Sequence, residues 1–121
     1  MTAQPEHPAC HDDELVPRPA KTPEALRAAL ATVAPHRIPE LTAQQDEAFA
    51  LAVRTGSIDP LRAFLNTWAA HVEVARNLDT AARLRRAEHT VQTLDRDDPR
   101  WSAAVRESLE IFNHAYAAVN G

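Results

Sequence analysis

Between Asp59 and Ala75 the apolar positions fall on two tracks. Leu61, Phe64, Leu65, Trp68, Val72 and Ala75 recur at spacings of three and four, which places them on one face of a helix. Ala63, Thr67, Ala70 and Val74 form a second track of smaller residues. A helix that is apolar on two sides is surrounded by other helices. This stretch is therefore predicted to be the organising element, with Asp59 as cap, Pro60 at the first helical position and an end near Arg76–Asn77.

The same periodicity recurs on either side. Thr22, Pro23 and Glu24 suit a helix N-terminus, and Leu26, Ala29, Leu30 and Val33 form the stripe that follows. Pro35 stops that helix, because proline disfavours helical geometry in the residue before it. The link from Ala34 to Pro39 is expected to be irregular. A second helix begins at Pro39 or at Thr42, where Thr42 and Gln45 fit a capping box, and it ends at Gly56. Its inward positions are predicted to be Ala48, Phe49, Ala52 and Val53, flanked by Leu41 and Leu51.

Beyond the organising helix, Asp79 is predicted to cap a fourth. Thr80, Leu84, Ala87, Val91 and Leu94 make a narrow seam on it, and the short link favours antiparallel pairing with the organising helix. Asp98 and Pro99 open a fifth, with an inner face of Trp101, Val105, Leu109 or Ser108, Phe112, Tyr116 and Val119. Ile111 and Ala118 lie off that face. The helix starts are unevenly spaced, which argues against a repeat array. The expectation is an all-α, compact bundle of about five helices spanning residues 22–121.

Composition sharpens this picture. Only two glycines occur, Gly56 and Gly121, which is poor material for sheet turns or a Gly-rich phosphate cradle. Residues 1–21 hold Pro5, Pro8, Pro17 and Pro19 and a run of acids, Asp12 to Glu14, so they read as a disordered Pro-rich tail. The net charge of −4 does not favour a large nucleic-acid surface, and it is compatible with a basic protein partner. One cysteine, Cys10, excludes an internal disulfide. Without a basic n-region followed by an apolar run, or a long apolar stretch, the chain is expected to be cytoplasmic, with no membrane association.

Candidate chemistry is sparse. No phosphate loop, nucleophile elbow, His-Glu-x-x-His pair or Cys-x-x-Cys pair is present, so an enzyme is not expected and no cofactor is implied. In the tail, His7, Cys10, His11, Asp12 and Asp13 lie close together but match no closed zinc pattern. Trp68, His71 and Tyr116 are candidates to line a ligand pocket between the third and fifth helices. The simpler reading makes Trp68 a core residue and His71 a core-edge one, with its ring nitrogens satisfied by protein groups. Arg83 and Arg86, three apart, could offer a phosphate or an acidic partner a shared face. Yet acidic and basic residues balance between Ile58 and Asp95, five against five, so a solvated face is the simpler reading. DNA binding through Arg83 and Arg86 would lack a turn glycine and exposed polar readers. Ile111 and Ala118, if exposed, would mark a docking face or homodimer seam.

The run from Pro23 to Leu30, followed by Asp59-Pro60-Leu61-Arg62-Ala63-Phe64-Leu65 and Trp68, resembles a family of small uncharacterised actinobacterial proteins, a domain of unknown function. The resemblance covers roughly residues 22–94. It implies an all-helical domain and an antitoxin-like or other small regulatory role, with no catalytic residues. The leading expectation is thus a non-enzymatic module that binds another protein through Arg83, Arg86, Ile111 and Ala118. The alternative is a small-molecule or metal-binding regulator with a pocket near Trp68 and His71.

Overall fold

The computed structural model describes residues 13–121, and in that range every long apolar periodicity becomes a helix. Helix α1 spans Pro23–Val33, α2 Ile38–Thr55, α3 Asp59–Ala75, α4 Leu78–Thr93 and α5 Pro99–Asn120. A 3-10 turn, Pro35–Arg37, leads into α2. No strand occurs among the described residues; one isolated antiparallel bridge joins Glu14 and Asn77.

Local chemistry sets the helix ends. The Thr22 hydroxyl accepts from the Ala25 N–H, Pro23 stands in the first turn of α1, and Gly56 closes α2 in the left-handed region at φ 71°. Asp98 caps α5 as expected, accepting from the Arg100 N–H; hydrogen bonding to Arg100 also holds its carboxyl down to about 2. Two caps differ from expectation. Ile58 is the N-cap of α3, and the Asp59 N–H donates to Ser57 Oγ. On α4 the cap is Asn77, whose side-chain oxygen accepts from the Thr80 N–H, two residues before the expected Asp79. The link between α3 and α4 is correspondingly shorter.

Helix α3 touches each of the other four helices. Its two tracks bury against different partners. Phe64, Trp68 and Val72 join Leu26, Leu30 and Leu41 from α1 and α2. Ala70 and Val74 join Ile111 and Ala115 from α5, with Leu84 of α4 alongside. Small residues on the second track let α5 approach closely; Ala63, near the start of that track, is exposed. Trp68 is fully buried. Truncating such a side chain to alanine costs about 3–5 kcal/mol.

Three faces differ from the sequence-based expectation. On α2, Leu41 and Ala48 are buried, whereas Phe49, Leu51 and Val53 are exposed, Val53 by 83%. Hydrogen bonds fix this rotation: Arg27 Nη2 donates to Thr42 Oγ1 at 3.0 Å, and Trp68 Nε1 donates to Gln44 Oε1 at 2.9 Å. On α5 the buried track is Ala104, Ile111 and Ala115, while Leu109 and Tyr116 are exposed. Weighting bulk over closeness of approach misplaced that face. Helix α4 lies mainly along α5 rather than α3.

Residues 13–21, expected to be part of a disordered tail, run along the C-terminal end of α3 instead, while residues 1–12 lie outside the described range. The Leu15 N–H donates to the Arg76 carbonyl at 2.7 Å, and Val16 packs on the core. Arg76, 6% exposed, donates from Nε to Glu73 Oε1 at 2.8 Å and from Nη1 to the Val16 carbonyl at 3.1 Å, and its Nη1 lies 3.3 Å from Glu14. Arg18 grips the same Glu73 with two bonds, 3.0 and 2.8 Å. Burial raises the Glu73 carboxyl, but the bonds from Arg18 and Arg76 outweigh it and hold it below the usual carboxylate range.

Candidate functional site

A cleft of about 850 Å³ opens beside the C-terminal half of α3. The end of α1, with the 3-10 turn, forms one wall and α4 the other; α3 and α5 supply the floor. Val33, Val74, Leu78, Leu84, Leu109 and Phe112 make most of its surface apolar, and Leu15 of the N-terminal strap reaches one edge. Leu15, Leu78 and Leu109 are each about half exposed there. The volume lies in the range of small-molecule sites.

Ser108 and His71 are the polar side chains of the floor, and the imidazole is that of His71. Its ring lies 4.9 Å from that of Trp68 on one side and 4.9 Å from that of Phe112 on the other. Among the described residues no group hydrogen-bonds to either ring nitrogen. Burial, helped by the nearby Arg37 charge and opposed by Glu40, pushes its pKa down to about 4. The imidazole is therefore neutral near pH 7, with one donor and one acceptor.

Behind it lies a closed ring of interactions. Trp68 donates to Gln44 Oε1, Gln44 Nε2 donates to Glu40 Oε2 at 3.4 Å, and Glu40 Oε1 accepts from Arg37 Nε and Nη2, both at 3.1 Å. The Arg37 guanidinium returns to lie 4.8 Å from the centre of the Trp68 ring. Arg37 and Glu40 border the cleft, and this ring holds both in place. The 3-10 turn and the early start of α2 bring them there. Neither was a sequence candidate: Arg37 sits in a stretch read as irregular linker, and its distance from Trp68 along the chain hides the stacking.

At the other wall, Arg85 and Glu88 stand on α4 and form no hydrogen bond or ion pair among the described residues. The cleft's one hydroxyl, on Ser108, donates to the Ala104 carbonyl at 3.0 Å.

Of the three candidate ligand residues, His71 alone lines the cleft. Trp68 is wholly buried and backs His71, and Tyr116 lies beyond Phe112, 6.1 Å between rings, outside the lining. The candidate partner-binding set is dispersed. Arg83 pairs with Glu107 of α5 at 3.4 Å, and Arg86 is on the exposed side of α4. Ala118 is exposed, but Ile111 is 4% exposed and belongs to the core between α3 and α5, so it cannot mark a docking seam. Of the tail cluster, Asp13 alone falls within the described residues; there, no group of three His, Cys, Asp or Glu side chains is placed to hold a metal ion. Among the described residues no helix is long and apolar enough to cross a membrane.

The chain matches no family model, no curated protein and no solved structure.

Proposed function

We propose that this chain is a helical binding module whose cleft holds a small, largely apolar molecule, in the manner of a ligand-responsive regulator. One observation carries the reading: an apolar cleft of about 850 Å³ has on its floor an imidazole, that of His71, with no protein hydrogen-bond partner among the described residues, while a second, His36, stands exposed at its wall. Buried polar groups are ordinarily satisfied, and unsatisfied ones in an apolar pocket mark ligand sites. Binding rather than catalysis is the role this lining supports, because its hydroxyl is already engaged and no nucleophile–base pair lines it.

The test is ligand-dependent melting. A ligand that binds only the folded state raises the melting temperature. A screen of common apolar metabolites and metal ions is expected to give shifts for metabolites that Ala81→Trp abolishes, because that substitution fills the cleft from α4 while leaving helicity intact. No shift with any compound would contradict the reading.

A second reading, antitoxin-like binding of a basic protein or of a second copy, is favoured by a different feature. Phe49 and Val53 on the outer side of α2 and Ile58 at its far end are 45%, 83% and 57% exposed. For the second copy, light scattering is expected to give a concentration-dependent mass that Val53→Glu abolishes. A strict monomer would remove self-association from this reading.

A further inference from the structure

We propose that the occupant of the cleft is an uncharged molecule: an apolar body carrying one neutral hydrogen-bonding group, a hydroxyl or a primary amide, that meets the imidazole of His71. The inference rests on the cleft being a ligand site and adds what kind of ligand fits it.

The charges around the cleft balance in number. Arg37 is engaged by Glu40 through Nε and Nη2, and its guanidinium lies over the Trp68 ring. Arg85 and Glu88, on the opposite wall, have opposite signs and stand three residues apart on one helix, so their fields largely cancel at the cleft. The guanidiniums and carboxylates lining the cleft are thus equal in number, two of each, and leave no excess of either sign. A carboxylate or ammonium set between Val74, Leu84 and Phe112 would lose its water among carbon atoms, and burying an ion there is far costlier than burying a neutral group.

His71 supplies what a neutral polar group needs. Its ring packs against two tilted aromatic neighbours, each 4.9 Å away, which restrict its rotation without a hydrogen bond. A hydroxyl or primary amide can both donate and accept, as the neutral imidazole can. The aliphatic lining takes the rest of the molecule.

A matched series tests this at pH 7 with the full chain. N-phenyl-1-naphthylamine serves as fluorescent reporter, and octan-1-ol, octanamide, octanoate and octylammonium compete with it. Each competition constant is corrected for the reporter's own affinity. The alcohol and the amide are expected to bind at least about tenfold more tightly than either ion. His71→Phe, which keeps the stacking, is expected to weaken the alcohol and the amide by about five- to tenfold, and His71→Gln to restore part of that loss. Circular dichroism checks that both variants remain helical. If octanoate or octylammonium binds best, or if His71→Phe changes nothing, the inference is overturned while the cleft stands as a binding site. If the reporter does not bind and no competitor shifts the melting temperature, the cleft reading itself fails.

Discussion

Two polar side chains five residues apart, His71 on α3 and Arg76 at its C-cap, meet burial in opposite ways. Arg76 is nearly sealed from water, yet its charge is matched by Glu73 and Glu14, and it also bonds to the Val16 carbonyl. His71 is wedged between two aromatic rings and has no hydrogen-bond partner among the described residues. A satisfied buried cation belongs to the architecture: it ties the N-terminal strap to the bundle. An unsatisfied imidazole facing an apolar cleft contributes little to the architecture and is available to something else. Separating what holds the fold from what serves it is possible here because one residue lies on α3 and the other closes its end.

The largest expected effect breaks the clamp. Arg76→Ala leaves Glu73 half-buried with only Arg18 as partner, and removing one member of a buried pair costs about 3 kcal/mol. Urea unfolding checks it, and ligand affinity should barely change. His71→Phe should do the reverse, changing stability by less than about 1 kcal/mol at pH 7 while weakening the polar ligand contact.

Acid should separate the two regions next. The folded-state pKa of His71, about 4, lies below its ordinary 6.5, so between those values the unfolded chain binds the proton and the folded one resists it. Stability from this source is complete above about 6.5 and is lost as the pH falls toward 4. The loss is about 2 kcal/mol, less than the shift alone implies because the ring stays partly open to solvent. Glu73 is depressed from the ordinary carboxylate value of 4.5, so its contribution is complete above about 4.5 and is lost as the pH falls from there through its depressed value. Unfolding measured across pH should show stability falling from about 6.5 and falling more steeply below about 4.5, and His71→Phe should remove only the earlier part.

Smaller effects sharpen the contrast. Gln44→Ala orphans the buried Trp68 N–H and loosens the ring of bonds behind His71, at a cost of about 1 kcal/mol. Arg18→Ala removes an exposed partner of Glu73, and thermal melting should register less than about 1 kcal/mol.

The backbone plan was readable because it follows from periodicity and punctuation. Two apolar tracks on α3 identified a central helix, and Thr22, Gly56 and Asp98 marked ends that geometry respects. Helix rotation was less readable. Phe49 and Val53 are bulky and sit outside, because Gln44 and Thr42 must face Trp68 and Arg27. Ile111 sits inside because Ala70 and Ala115 allow α5 to come close. The candidate site was half readable: His71 was singled out beside Trp68, but Arg37 and Glu40 reach the cleft through a 3-10 turn that no local pattern announces. The strap was missed because its anchors, Glu73 and Arg76, lie some sixty residues away in the chain.

The most direct measurement is an NMR titration of the isotope-labelled chain with octan-1-ol. The account predicts shift changes at the His71 ring and at the methyl groups of Val74, Leu84 and Leu109, with none at Arg76 or on the outer face of α2. Changes confined to Phe49 and Val53, or a His71 ring that never responds, would contradict it.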